Sequence, residues 1–143
     1  MKKSLLILGI VLAILLGLFF IRANIVVKDV SQLEPNELVE TYYKSLNSKA
    51  LATAKSCLSD EYAQNFSVLY ELNTLYISDL SVSEPFETPY HGSNYKEVQI
   101  SVEYNAYYIK EQASANGKHI RFIYVAKETE DSPWKIISIG TGP

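Results

Sequence analysis

The chain has 143 residues with 13 basic and 16 acidic side chains, and its one cysteine, Cys57, excludes an intrachain disulfide. Lys2, Lys3 and Arg22 flank an apolar N-terminal segment, so the remainder of the chain has 10 basic and 16 acidic residues and a charge of −6. This negative charge argues against nucleic acid as a partner and against docking on anionic lipid.

An unbroken run of 17 apolar or glycine residues extends over Leu5–Ile21. As a helix it would rise about 26 Å, close to the roughly 30 Å of a bilayer hydrocarbon core. The run is longer than the apolar part of a usual signal peptide, about 7–15 residues, and it lacks a small-x-small cleavage site at its end. Residues 1–23 are therefore predicted to be a single-pass anchor in the cell membrane, with the C-terminal domain outside. If the segment were cleaved, the protein would be secreted.

The rest of the chain is predicted to be a short tether, residues 24–33, and a single extracytoplasmic domain, residues 34–143. The first helix of the domain is expected to begin at Pro35, where the missing N–H costs nothing. Its apolar residues recur at helical spacing and predict one buried stripe. The stripe consists of Leu38, Val39, Tyr42, Tyr43 and Leu46.

Two shorter helices are expected after Asn47-Ser48, which ends the first helix and can cap the second. The second helix runs through Cys57, which we expect to be a small buried core residue. Asp60 is expected to be the N-cap of the third helix. The apolar spacing of that helix is set by Tyr62, Phe66 and Leu69.

From Leu75 onward the apolar period changes from 3.6 to 2, which indicates strands. The apolar residues change from odd positions, Leu75 and Ile77, to even positions, Leu80 and Val82, which predicts a bulge near Ser78-Asp79. Pro85 and Pro89 confine the next stretch to an edge strand or a loop. The clearest half-buried strand is 98–106, and an Asn-Gly turn signal at 116–117 precedes a strand over 119–126.

The apolar residues of that later strand fall on both parities, so we expect both of its faces to be covered. The last strand is expected over 134–139. Helices followed by an antiparallel meander predict an α+β fold in which the helices pack on one face of a curved sheet.

The two ends of this domain resemble the nuclear-transport-factor-2-like superfamily. The opening EPNELVETYYKSLNSKALATAKSCLS is similar to its first two helices, and the closing SPWKIISIGTGP is similar to its last strand in a subset of uncharacterised anchored or secreted proteins of low-GC Gram-positive bacteria. The resemblance covers about Pro35 to Pro143 and implies a cone-shaped sheet closed by helices. It implies little about function, because this fold hosts isomerases, dehydratases, cyclases, immunity proteins and adaptors.

Enzymes of the superfamily place an Asp or His inside the cone as a general base, often with a Tyr donor. Asp79, with Tyr76 nearby, is the candidate here, although an exposed turn aspartate is the more ordinary interpretation. His91 and His119 are expected on the surface, and their spacing offers no metal site. We therefore assign no catalytic residue, no metal ligand and no cofactor.

Glu103 and Arg121 have two interpretations each. Glu103 is either a solvent-facing acid or a buried acid of the cone, and the solvent face is favoured because the other parity already supplies the core. Arg121 is either one half of a cross-strand surface ion pair, which is favoured, or an anchor for an acid in a pocket.

Eleven tyrosines are an excess for a chain of this length and suit half-buried sheet faces and wet pockets. Ordinary packing is the first explanation, and a pocket or an exposed partner face are the alternatives. Residues expected to line such a pocket are Tyr42, Tyr104, Phe122, Tyr124 and Trp134.

The sequence thus predicts a membrane-tethered extracytoplasmic module that binds a small apolar ligand or an envelope protein, with a homodimer through the sheet as a further possibility. The alternative is a small cofactor-free enzyme of the isomerase or hydrolase type that uses a carboxylate in the cone.

Overall fold

The computed structural model describes residues 7–17, 27–64, 75–90, 92–109 and 116–142. Residues 7–17 form a helix, α1, whose side chains are all exposed. The predicted segment Leu5–Ile21 extends beyond this range at both ends. Within the described residues, no helix combines the length and the apolar character needed to cross a membrane.

The first helix of the domain, α2, spans Pro35–Asn47, as predicted. Glu34 precedes it and forms a capping box with Glu37, whose carboxylate accepts the Glu34 N–H at 3.1 Å. The predicted apolar stripe is buried along the helix. At its C-terminal end the Asn47 side chain accepts the N–H of Ile77 at 2.9 Å, which ties the helix to the first strand.

Helix α3 spans Leu51–Ser56 and α4 spans Asp60–Gln64. Two capping predictions were wrong. Ala50, rather than Ser48, is the N-cap of α3. Asp60 is already helical, because the Ser59 hydroxyl accepts the Tyr62 N–H at 3.2 Å and so occupies the capping position one residue earlier. The predicted contributions of Phe66 and Leu69 lie outside the described residues.

The end of the predicted tether packs on the domain. Val30 is buried in the core, and the backbone N–H of Lys28 donates to the Thr53 hydroxyl of α3 at 3.2 Å. Residues 27–33 therefore contribute to the domain's packing as well as connecting it to what precedes.

The sheet is antiparallel and consists of β1 (Leu75–Val82), β2 (Phe86–Glu87), β3 (Lys96–Tyr108), β4 (Gly117–Lys127) and β5 (Lys135–Gly140). Its order is β1-β3-β4-β5, and the short β2 pairs with β3 beside β1. Leu58 adds a single parallel bridge to Ile136 at the edge of β5. Helix α2 packs against one face of this curved sheet and α3 packs beside α2, so the predicted α+β arrangement is confirmed.

The predicted bulge lies in β1, where the pairing with β3 shifts between Ser78 and Ser81. Asp79 has a positive φ of 52° there, a conformation that Asp tolerates better than most residues. A second shift lies between Tyr124 and Val125, where β4 pairs with β5. Bulges of this kind bend strands, which accounts for the curvature of the sheet.

We call the sheet face that packs against the helices the helix side, and the opposite face the outer side. In β3 the predicted alternation is confirmed, since the even-numbered residues from Val98 to Tyr108 are buried on the helix side. In β4 the helix side carries Ile123 and Val125, both fully buried. Tyr124 and Ala126 are also buried, so both faces of this end of β4 are covered, as expected.

Candidate functional site

The five residues expected to line one pocket lie on two sides of the sheet. Tyr42, Tyr104 and Trp134 belong to the core between the helices and the sheet. Phe122 and Tyr124 pair with Ser101 and Gln99 of β3 and therefore point to the outer side. The structure does not bring the five together on one surface.

On the helix side, tyrosine rings fill the space between α2 and β3. Tyr42 and Tyr43 meet edge to face with centroids 5.3 Å apart, and Tyr43 packs on Tyr104 at 5.1 Å. All three are at most 6% exposed. Burial raises the pKa of each of the three phenols. These rings act as packing side chains at this point of the core.

His119 and Arg121 extend this cluster toward solvent on the helix side. His119 stands opposite Tyr104 in the register and stacks on its ring, with centroids 5.5 Å apart and an angle of 12°. An Arg121 Nη2–H donates to His119 Nδ1 at 3.0 Å. Both side chains are half-buried, so the prediction of a surface His119 was wrong. The prediction failed because the strand register pairs His119 with Tyr104, which is buried.

The favoured interpretation of Arg121 as half of a surface ion pair was also wrong for the part of the chain that the structure describes. The three ion pairs found there join lysines to glutamates: Lys44 to Glu40, Lys96 to Glu87, and Lys118 to Glu103. Glu103 is therefore the solvent-facing acid that the sequence favoured.

Asp79 occupies an exposed bulge, where Ser78 and Asn105 donate hydrogen bonds to its carboxylate at 3.1 and 2.7 Å. Asp79 is therefore an exposed turn aspartate, the interpretation that the sequence favoured, and not a base enclosed by the sheet. Cys57 is fully buried, as predicted, and burial raises the pKa of its thiol to about 11. His91 lies outside the described residues.

The sequence reasoning missed Glu97, a buried carboxylate beneath the connection between β2 and β3. The backbone N–H of Tyr90 and the side-chain amide of Asn94 both donate to it, the latter at 2.6 Å. Tyr90 then stacks on Tyr124 at 4.1 Å and covers the outer side of β4. The only sequence signal was that Glu97 falls on the odd-numbered, polar side of β3, and residues on such a side normally face solvent.

This anchored connection forms one wall of a cleft of about 540 Å³. The first turn of α4 forms the opposite wall, and β5 and Glu128 complete the lining. A hydrogen bond between the Tyr62 side chain and the backbone of Ile139 also fixes α4 to the edge of β5. The cleft is lined by Ser59, Asp60, Glu61, Tyr62, Tyr90, Ser93, Asn94, Glu128, Ile137 and Ser138.

The lining is mainly polar. It combines three carboxylates, those of Asp60, Glu61 and Glu128, with hydroxyls, one amide and two tyrosines, and none of the lining residues that the structure describes is basic. An adjoining cavity of about 200 Å³ shares five of these residues and adds Lys135. Carboxylate and amide oxygens accept hydrogen bonds, so the cleft suits a ligand rich in donors.

Among the described residues, no group of three or more His, Cys, Asp or Glu side chains is placed to hold a metal ion. The carboxylates, hydroxyls and amide of the cleft can accept hydrogen bonds and attract positive charge.

Comparison with known proteins bears on the family and not on the cleft. No curated protein matches the sequence. The model of one family, described as a domain of unknown function (DUF4829), matches residues 36–140, which include α2 except for Pro35, α3, α4 and all five strands. Because this match covers well over half of the chain, the protein belongs to the DUF4829 family.

Proposed function

We propose that this protein is a membrane-tethered extracytoplasmic domain that binds a small polar ligand in the cleft between α4, β5 and the connection from β2 to β3. The observation that carries the proposal is the cleft itself. Its volume of about 540 Å³ falls within the range of small-molecule sites, about 300–1,000 Å³. Its walls are held by the buried Glu97 and by the Tyr62 contact, so the site is largely formed before a ligand arrives.

The walls favour a ligand with several hydroxyl or amine donors over the apolar ligand that the tyrosine content suggests. Three of the described lining residues are acids and none of them is basic, so the cleft attracts amines and repels anions. Tyr90 is 47% exposed and its ring is held by Tyr124, so it offers an apolar surface beside the polar groups.

Affinity measurements on the full-length protein test this proposal with myo-inositol as the neutral probe, 1,4-diaminobutane as the cationic probe and acetate as the anionic control. We expect one of the first two to bind and acetate not to bind. Asp60→Asn with Glu128→Gln should weaken diamine binding at least tenfold, about 1.4 kcal/mol. Glu130→Gln with Asp131→Asn, the matched control in the turn before β5, should bind as the parent does. Equal losses in both double variants, or no binding of either probe, would refute the proposal.

The membrane tether is supported by α1, whose large apolar side chains are strongly exposed, for example Ile7 at 61% and Leu8 at 69%. A contiguous apolar surface of this kind requires a partner, and the sequence around α1 has the length of a membrane anchor. Alkaline extraction of cell membranes tests the tether. The protein should remain in the membrane pellet, and its release into the supernatant would contradict the anchor.

The finer fold proposal is the nuclear-transport-factor-2-like cone, which the order of helices before a bent antiparallel sheet supports. The enzyme alternative would require a base on the helix side. His119 lies there, but its Nδ1 accepts a hydrogen bond from Arg121 and is occupied. A binding role is therefore the better supported of the two.

A homodimer through the outer side of the sheet is the second candidate for a partner. Tyr76 and Tyr107 stand opposite each other there and are 47% and 59% exposed. Sedimentation of the full-length protein in detergent tests the homodimer. The parent protein should be dimeric and Tyr107→Lys monomeric, and a monomeric parent protein would contradict this candidate.

A further inference from the structure

Arg121 is the only arginine that follows Arg22 in the chain, and its position is unusual for a charged residue. It stands opposite Val102 in the register, and Val102 is fully buried on the helix side. Arg121 therefore projects on the same side as the core, beside the tyrosines of α2 and β3. Its side chain is half-buried.

The hydrogen bonds of the Arg121 guanidinium go to neutral groups. Nη1 donates to the backbone carbonyl of Ile120 at 3.0 Å and Nη2 donates to His119 Nδ1 at 3.0 Å. Within the described ranges, none of the ion pairs includes Arg121. The neighbouring acid in the register, Glu103, pairs with Lys118 on the outer side. Among the described residues, the guanidinium therefore has neutral hydrogen-bond acceptors and no carboxylate partner.

The surroundings of Arg121 add hydrogen-bond donors and flat ring surfaces. Tyr104 stacks on His119, and Tyr43 packs on Tyr104. The positive charge of Arg121 acts on both phenols, because it opposes the rise that burial causes in the pKa of Tyr43 and of Tyr104. The guanidinium therefore lies beside the imidazole, at the edge of the tyrosine cluster.

We propose that Arg121 is an oxyanion subsite, in which the guanidinium binds the carboxylate or phosphate group of a small ligand beside the His119 and Tyr104 rings. A guanidinium carries five N–H donors in a planar fork that matches both oxyanions, and the hydrogen bonds described above use only part of this set. This subsite is separate from the acidic cleft, which repels anions, and the two sites share no residue.

The side-chain Nε–Hε signal of Arg121 in the ¹⁵N-labelled full-length protein tests the subsite directly. The chain has two arginines, so the spectrum contains two such signals, and Arg121→Lys identifies the one that belongs to Arg121. The probes are benzoate for a carboxylate, inorganic phosphate for a phosphate, and benzamide as the uncharged analogue of benzoate.

We expect the Arg121 signal to shift saturably with benzoate or phosphate, with a Kd of about 1 mM or below, and not with benzamide. The oxyanion that saturates the shift identifies the class of ligand. Arg121→Lys, followed through its backbone amide shifts because the Nε–Hε signal is lost, should weaken binding about tenfold, since it keeps the charge but loses the fork. Lys118→Gln removes a positive charge from the outer side of the same strand and should bind as the parent does.

The proposal is overturned if neither oxyanion shifts the signal saturably, or if sodium chloride at the same ionic strength gives the same shift. It is also overturned if Lys118→Gln and Arg121→Lys lose affinity equally. Amide spectra of both variants confirm that each is folded, and the cleft probes provide a separate readout, so failure here leaves the cleft proposal untouched.

Discussion

The carboxylate of Glu97 should hold the wall of the cleft, and Glu97→Gln tests this. Glu97 is 8% exposed and accepts hydrogen bonds from the Tyr90 N–H and from Asn94 Nδ2. Glutamine keeps the shape of the side chain but replaces one oxygen by an NH₂ group. This group faces a hydrogen-bond donor and cannot accept its hydrogen bond. The lost hydrogen bond to a charged acceptor contributes about 1.5–3 kcal/mol to the free energy of unfolding. Because a neutral amide costs less to bury than a carboxylate, the net loss lies toward the lower end of this range.

Urea unfolding at neutral pH measures the free-energy loss, and hydrogen exchange of the segment 89–95 measures the loosening of the wall. We expect a loss of about 1.5–2 kcal/mol and faster exchange in this segment. Glu103→Gln is the matched control on the same side of the same strand. Its pair with Lys118 is exposed to solvent, so it should cost less than about 1 kcal/mol and leave exchange at 89–95 unchanged. Equal effects of the two substitutions would show that the Glu97 carboxylate does not hold the wall of the cleft.

Three further predictions concern the core and its connections. Leu38→Ala should lower the free energy of unfolding by about 2–5 kcal/mol in urea titration, because Leu38 is fully buried; a loss below 1 kcal/mol would contradict its place in the core. Asn47→Ala should cost about 1–2 kcal/mol by the same assay, because it leaves the Ile77 N–H without its acceptor, whereas Ser48→Ala should cost less. Stability should fall as the pH rises from about 9 toward 11, because the Cys57 thiol titrates near 9.0 in the unfolded chain and near 11 when buried, so the folded state retains its proton longer. Cys57→Ala should flatten this dependence in urea titrations at several pH values, and an unchanged slope would contradict the assignment.

Much of the fold was predictable because the relevant segments have a single apolar period. Helix α2 has one stripe and a proline at its start, and β3 alternates along nearly its whole length, so local pattern and burial agree. The bulge in β1 was visible as a change of parity between Ile77 and Leu80. In each of these cases the residues that decide the structure lie within one element.

The prediction for β4 was incomplete because both of its parities are apolar, so the pattern could not show which one faces the helices. Pairing with β3 decides it, and it places His119 and Arg121 on the helix side. The capping of α4 moved by one residue because Ser59 and Asp60 are both good N-caps and only the backbone geometry selects between them.

The cleft was not predictable because its lining comes from separate segments of the chain. Asp60 of α4, Asn94 of a connection, Glu128 after β4 and Ser138 of β5 meet only in the folded domain. The burial of Glu97 was also not predictable, because it depends on the connection between β2 and β3, which folds back over the sheet. Tertiary contacts of this kind leave no periodic signal in the sequence.

Neutral and cationic ligands are proposed to bind in the polar cleft and not in the tyrosine-filled space between α2 and the sheet. Backbone amide NMR of the full-length protein, titrated with myo-inositol and 1,4-diaminobutane, tests it most directly. Binding in the cleft should give saturable shifts confined to Ser93, Asn94, Glu128 and Ser138. Shifts centred instead on Tyr43, Tyr104 and His119 would place the site inside the helix side of the sheet and contradict the account.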